Sequence, residues 1–166
     1  MIDEPIRKMI LADHDNLIIP ANIVANVMVT NDCYHAFLVL TKVGYAKVPV
    51  LDRDQHLCGL LSLSMITEHM LDTNHVAPEN LRRLKVQDVM ETDIRTIEDP
   101  TDLDEILHLL IDESFVPVVS DERTFTGIIT RRELLKRVNY LAHNLSEQYD
   151  VSPISDPVSE TGSAGC

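Results

Sequence analysis

The sequence is poor in aromatic residues, cysteine and long apolar runs, and each shortage excludes a class of protein. Tryptophan is absent and aromatic residues make up 4% of the 166 positions, so the 45% hydrophobic content predicts a core of aliphatic side chains. Cys33, Cys58 and Cys166 are an odd number without C-x-x-C spacing, which excludes a disulfide framework or a zinc site and indicates reduced structural thiols. No apolar run reaches the roughly 18 residues that a membrane-spanning helix needs.

Basic residues are also scarce, because 14 lysines and arginines face 27 acidic residues and leave a formal charge of −13. Such a surface repels the phosphate backbone of nucleic acids. The N-terminal stretch MIDEPIRKMI is too acidic, and its apolar part too short, for a secretory signal. We therefore expect a cytoplasmic protein that binds neither nucleic acid nor membrane, and that holds any bound anion locally.

Catalytic signatures are missing from the sequence. It contains no P-loop, no Gly-x-Gly-x-x-Gly and no Gly-x-Ser-x-Gly elbow. The seven histidines are scattered, and His69 and His75 have no acidic or cysteine partner at ligand spacing. We predict no catalytic residue, no metal site and no catalytic cofactor, which favours a binding module over an enzyme.

An internal repeat is the main feature that the sequence does contain. Residues 47–66, KVPVLDRDQHLCGLLSLSMI, align with residues 115–134, FVPVVSDERTFTGIITRREL, at a constant offset of 68 positions. The alignment places Pro49 on Pro117, Gly59 on Gly127 and Ser62 on Thr130. Each copy predicts a strand, a polar turn, a second strand entered through glycine, and a helix that begins at a hydroxyl residue.

The repeat continues upstream in both copies. Residues 33–42 and 101–114 have the three- and four-residue apolar spacing of a helix, and the extended apolar segments 23–29 and 93–97 precede them. Each unit therefore has the predicted order β-α-β-β-α over about 60 residues, which is too few for comfortable stability alone. Two such units should pack sheet against sheet as one α/β (α+β) body.

This arrangement resembles the CBS-domain pair, also called the Bateman module. The resemblance lies in YAKVPVLD with GLLSLSM in the first copy, and in FVPVVSD with GIITRRE in the second. It covers residues 17–145 and implies tandem CBS repeats packed as one module. The expected layout is an N-terminal arm at 1–16, CBS repeat 1 at 17–76, a linker at 77–87, CBS repeat 2 at 88–145, and a flexible acidic tail at 146–166.

The last helix of the second copy begins with a candidate anion site. Thr130, Arg131, Arg132 and Glu133 have the form of a capping box, in which the Thr130 hydroxyl and the Glu133 carboxylate cover backbone N–H groups. Two arginines at the positive end of a helix dipole are unfavourable unless an anion lies over the turn. They are thus either phosphate ligands or surface residues of an acidic protein.

Other basic residues, and the equivalent turn of the first copy, lack this pattern. Lys136 and Arg137 lie further along the helix, where we predict a solvated face with an ion pair between Glu133 and Arg137. Ser62 is followed by Leu63-Ser64-Met65, without a basic group. One of the two pseudo-equivalent clefts thus lacks polar groups, and we predict one occupied site per chain.

Within CBS pairs, the sequence is most similar to the small stand-alone proteins of Firmicutes that bind cyclic di-AMP. The matching stretches are HAFLVLTKVGYAKVPVLD at 35–52 and FTGIITRRELLKRVN at 125–139. The resemblance implies cyclic di-AMP as the ligand, with AMP, ADP or ATP as the alternative. The implied nucleotide-binding residues are Ile23, Ala25, Val27, Tyr45, Ala46, Val48, Thr130, Arg131 and Arg132.

The resemblance also implies assembly and output. CBS pairs form disc-like homodimers, and the nucleotide would control binding to a partner protein, with a guanosine tetraphosphate synthetase as one candidate. Ile23 stands where the resemblance implies a lysine, and Ala46 where it implies a hydroxyl residue, so each removes a polar contact. A ligand-independent dimerisation scaffold, with Arg131 and Arg132 paired to acids across the interface, is the competing reading.

Overall fold

Two three-stranded sheets, one for each repeat, form the centre of the molecule. The computed structural model describes residues 1–12, 17–71 and 74–155. Its helices and strands are, in chain order, α1 (Glu4–Leu11), β1 (Ile18–Pro20), β2 (Val27–Met28), α2 (Cys33–Val43), β3 (Lys47–Leu51), β4 (Leu57–Ser62), α3 (Leu63–Glu68), α4 (Val86–Val89), α5 (Leu103–Asp112), β5 (Phe115–Val119), β6 (Phe125–Thr130) and α6 (Arg131–Gln148). Short 3-10 helices cover Ala21–Ile23 and Pro78–Arg83.

The chain exchanges a strand between the two sheets. The first sheet has the order β2-β3-β4 and the second the order β1-β6-β5. β1 lies at the start of the first repeat in sequence but pairs antiparallel with β6 of the second repeat, with Ile19 opposite Ile128. The hairpin tips also meet, because the Leu57 N–H donates to the Arg123 carbonyl and the Phe125 N–H to the Gln55 carbonyl. The repeats therefore share backbone hydrogen bonds as well as apolar contacts.

The main helices begin at the capping residues that the sequence predicts. The Ser62 hydroxyl accepts from the Met65 N–H, and the Thr130 hydroxyl accepts from the Glu133 N–H. Asp32 and Asp102 cap α2 and α5 in the same way through their carboxylates. None of the helices in the described ranges is long and apolar enough to cross a membrane.

Three apolar clusters make up the core. One lies under each repeat, and a third joins Val24, Leu51 and Leu57 of the first repeat to Val119, Phe125 and Ile128 of the second. This third cluster is the contact between sheets that the repeat predicts. The α/β fold with tandem repeats is therefore confirmed.

Several expected boundaries are wrong in detail. Of the predicted strand at 23–29, two residues form β2, because Ala21–Ile23 makes a 3-10 turn as the chain passes from one sheet to the other. The predicted strand at 93–97 is reduced to one bridge between Ile97 and Val118, since Ile97 is buried whereas Asp93 and Arg95 are exposed. α6 continues to Gln148, past the expected start of a flexible tail at 146. Residues 13–16 of the arm and 156–166 of the tail, including Cys166, lie outside the described residues.

The N-terminal arm is a helix that packs on the second repeat. Met9 and Ile10 of α1 are buried, and Ile10 belongs to the core cluster of that repeat. The Arg137 guanidinium donates to the Ile10 carbonyl at 2.7 Å. The prediction that Arg137 lies on a solvated face is therefore wrong, because it binds the carboxyl end of α1. Glu133 pairs instead with Lys136, at 2.7 Å.

Candidate functional site

A cavity between the two repeats, which we call the first cleft, has a volume of about 320 Å³. Both repeats contribute to its walls. The lining residues are residues 23–24, residues 44–47 and Pro49 on one side, and Ile19, residues 114–115, Ile128 and Thr130 on the other. Most of this surface is apolar, which suits the flat face of a nucleobase.

A tight turn brings two of the predicted residues to the cleft mouth. Gly44 ends α2 in the left-handed conformation, with φ of 71°, and its N–H donates to the Leu40 carbonyl. Glycine adopts this conformation without the steric cost that a side chain would add. Tyr45 and Ala46 follow and are exposed, and Tyr45 retains 49% of its accessible surface. An aromatic ring is thus available at the mouth for stacking.

The polar end of the first cleft is the start of α6. Thr130 lines the cavity, and its hydroxyl accepts from the Glu133 N–H at 3.1 Å. Arg132, two residues after Thr130, is exposed, and it makes no hydrogen bond or ion pair within the described ranges. The dipole of the 18-residue helix adds positive potential here. The predicted return bond from Glu133 is replaced by the ion pair with Lys136.

The guanidinium of Arg131, which we predicted as a phosphate ligand, binds backbone carbonyls in the structure. Its Nε donates to the Leu110 carbonyl at 2.8 Å, and its Nη2 donates to the carbonyls of Ile111 and Glu113 at 3.1 and 2.9 Å. The guanidinium therefore covers the otherwise unpaired carbonyls at the end of α5. Arg131 therefore caps the end of α5 in this structure, and its role as a phosphate ligand stays a prediction.

The other predicted site residues divide into two groups. Ile23, Tyr45 and Ala46 line the first cleft. Val27 and Val48 do not, because they are 1% and 0% exposed and pack in the core of the first repeat. Strand alternation turns Val48 away from its neighbour Lys47, which does line the cavity. Ala25 is half-buried and follows Val24, which is the lining residue of that segment.

Sequence reasoning missed several residues of the first cleft. Ser114 and Phe115 line it from the second repeat, and Ile19 and Ile128 from the paired strands β1 and β6. The repeat alignment carried a signal for Phe115, because it occupies the position of Lys47 in the other copy. No comparable signal marked Ile19, since pairing of β1 with the second repeat is a tertiary event.

The pseudo-equivalent cavity, which we call the second cleft, is polar. It has a volume of about 220 Å³ and is lined by Lys47, Glu91, Asp93, Arg95 and Glu113, together with Leu60, Ile94, Phe115 and Pro117. The prediction that this cleft lacks polar groups is therefore wrong. Its charged residues come from the start of β3, the segment after α4 and the end of α5, all outside the short helix-start motif on which that prediction relied.

The remaining reactive groups have structural explanations. Burial raises the pKa of the Cys33 thiol to about 11 and also raises the pKa of Cys58, so neither is a ready nucleophile at neutral pH. Asp52, Asp54 and His56 lie close together in the β3–β4 turn. The Asp52 carboxylate accepts from the N–H groups of Asp54 and His56, and the bond from His56 is the main cause of a lowered Asp52 pKa. These bonds shape the turn.

Comparisons with known proteins show which domain and which proteins this chain is similar to. Residues 86–140 match the profile of the CBS domain. Cyclic di-AMP receptor B of Bacillus subtilis is 35% identical over 147 residues, which are 89% of this chain and 100% of that protein. The Listeria monocytogenes CbpB protein in complex with c-di-AMP is 45% identical, with a TM-score of 0.73 over 79% of this chain and 98% of that one. CbpB from Streptococcus agalactiae is 30% identical, with a TM-score of 0.80 over 92% and 96%.

Proposed function

Because the chain belongs to the CBS-domain family that includes cyclic di-AMP receptor B, we propose that it is a regulatory sensor that binds cyclic di-AMP in the first cleft. One relative is named a cyclic di-AMP receptor, and another was solved in complex with c-di-AMP. One observation carries the proposal: an apolar wall shared by both repeats ends at the start of a long helix, beside an arginine without a partner in the described ranges. A nucleotide needs both of these surfaces.

The base is proposed to lie against Ile23, Tyr45 and Ala46. These side chains are exposed at the mouth of the first cleft, and Phe115 faces them from the second repeat. Stacking on aromatic and aliphatic surface is typical of base recognition. Ala25, Val27 and Val48 act in this proposal as support for the wall.

The ribose and phosphates are proposed to lie over Thr130 and Arg132. The helix start offers dipole potential to an anion, and the Arg132 guanidinium is able to form two charge-assisted hydrogen bonds. Arg131 contributes by fixing α6 against the end of α5, through its three carbonyl contacts. The two neighbouring arginines are thus assigned different roles.

The output is proposed to be control of a partner protein by a cytoplasmic homodimer. Ligand changes the affinity for a partner when the bound and unbound forms differ in contacts at the docking surface. A guanosine tetraphosphate synthetase remains one candidate partner. Size-exclusion chromatography with light scattering, run with and without cyclic di-AMP, measures the assembly state directly.

Calorimetric titration of the Arg132→Ala variant tests the site. We expect the wild-type chain to bind cyclic di-AMP and the variant to lose about tenfold to a hundredfold in affinity, since a charged hydrogen bond is removed. Lys136→Ala is the matched control, because it removes one exposed cation from the same helix. Equal losses in both variants would show that only net charge matters.

Parallel titrations with AMP, ADP and ATP separate the two alternatives. Tighter binding of a mononucleotide than of cyclic di-AMP would make the chain an adenylate sensor. Absence of heat with every nucleotide, alongside an intact dimer, would leave the ligand-independent scaffold and sink the proposal.

A further inference from the structure

The second cleft is lined by the repeat equivalents of residues that line the first cleft, so that each repeat takes the place of the other. The offset of 68 positions relates Glu113 to Tyr45, Phe115 to Lys47, and Pro117 to Pro49. Each member of these pairs lines one or both clefts. The backbone around the second cleft is therefore suited to the same kind of ligand, and its side chains decide whether one binds.

Charge distinguishes the two cavities. Glu91, Asp93 and Glu113 line the second cleft against two cations, Lys47 and Arg95, so acids are in excess. Among the described residues that line the first cleft, Lys47 is the only charged one. A phosphate that enters the second cleft would meet carboxylates where the first cleft offers apolar surface.

The ammonium of Lys47 is held in the second cleft. Its Nζ lies 3.4 Å from Glu91 Oε2 and 3.6 Å from Glu113 Oε2, and 26% of the side chain is exposed. The two carboxylates join β3 of the first repeat to the segment after α4 and to the end of α5. A phosphate would have to displace them from Lys47 and then remain close to both negative charges.

We propose that Glu91 and Glu113 close the second cleft to nucleotides by neutralising Lys47, and that they thereby restrict the chain to one nucleotide site. This inference rests on the proposed function of the first cleft and adds the specificity determinants of its counterpart. With both carboxylates removed, Lys47 and Arg95 outweigh Asp93, and Leu60, Phe115 and Pro117 provide an apolar wall. The smaller volume favours a mononucleotide such as AMP over cyclic di-AMP.

AMP titration of Glu91→Gln/Glu113→Gln, built on the Arg132→Ala background, tests the proposal. That background weakens the first cleft, and because Lys47 lines both clefts, binding of a second equivalent of AMP is what reports the second cleft. We expect AMP affinity to rise about tenfold or more over the Arg132→Ala parent, because two repulsive charges are removed and Lys47 is released. Adding Lys47→Met should abolish the gain.

Matched variants decide between this mechanism and a general charge effect. Glu68→Gln/Glu79→Gln changes net charge by the same amount at exposed positions outside the clefts. An equal gain there, a gain that survives Lys47→Met, or no gain in Glu91→Gln/Glu113→Gln would each overturn the proposal. If the double variant does not fold, Glu113→Gln alone, at a side chain 45% exposed, should give a smaller Lys47-dependent gain, and no gain would be decisive. Cyclic di-AMP binding by the wild-type chain reports separately on the first cleft.

Discussion

Ile23 and Ala46 place two apolar side chains at the mouth of the first cleft, where the resemblance implies a lysine and a hydroxyl group. Both are exposed, and Ile23 retains 67% of its accessible surface. A side chain this exposed adds little packing energy, so its exchange should change ligand affinity far more than stability. The pair therefore offers a direct measure of what single polar contacts contribute to binding.

Ile23→Lys should strengthen cyclic di-AMP binding. The added ammonium can reach a phosphate at the cleft, and we expect a gain of about threefold to tenfold after solvent screening. Calorimetry measures the change. Asn22→Lys, at the exposed neighbouring position, is the charge-matched control, and a similar gain there would contradict a specific contact.

At the scale of elements, the junction between α5 and α6 shows how one side chain connects two helices. The Arg131 N–H donates to the Ser114 carbonyl, while its guanidinium contacts three carbonyls at the end of α5. A cation beside unpaired carbonyls is favourable, because the carboxyl end of a helix is its negative end. The cost of a cation at the start of α6 is thus offset at the end of α5.

Arg131→Ala should lower the free energy of unfolding by about 2 kcal/mol, because charged hydrogen bonds to three carbonyls are lost. Urea denaturation followed by circular dichroism measures the change. Arg132→Ala, one position along, should leave stability nearly unchanged while it weakens ligand binding. If the two variants unfold at the same urea concentration, the division of roles between the arginines is wrong.

At the scale of the whole molecule, one glycine in the hairpin of each repeat allows the backbone of a distant segment to pack directly against that hairpin. A Cβ on Gly127 would meet the carbonyl oxygen of Ile19, and a Cβ on the equivalent Gly59 would lie 2.5 Å from the carbonyl oxygen of Glu91. Each glycine therefore accepts a backbone segment from outside its own hairpin. The repeat alignment identified this pair, and the structure supplies the steric reason for it.

Gly127→Ala should separate β1 from β6. The backbone of Ile19 would have to shift, and such overpacking costs about 1 to 3 kcal/mol. Hydrogen exchange should become faster at Ile18 and Ile19, together with a lower melting temperature. In Gly44→Ala the added Cβ meets no atom within 4 Å, so only the left-handed conformation is penalised and exchange in β1 should be unchanged.

The local sequence pattern was sufficient to predict the repeat, the capped helices and the hairpins. Apolar periodicity and capping chemistry act over a few residues, so Ser62 and Thr130 could be recognised as helix starts without a structure. The same locality explains the errors at 93–97 and at Val48. The segment 93–97 has the sequence character of a strand but pairs with a single residue, Val118. Val48 is buried in the core, whereas Lys47, one position earlier, lines the first cleft.

The sequence by itself determined that this protein is a tandem repeat with an anion-suited helix start in one copy. Only the tertiary structure decided which side chains stay exposed beside that helix start. Arg131 and Arg132 are neighbours of the same type, but successive residues of a helix point about 100° apart, so one faces the end of α5 and the other stays exposed. The charges of the second cleft likewise come together only when residues 47, 91 and 113 meet across the repeats.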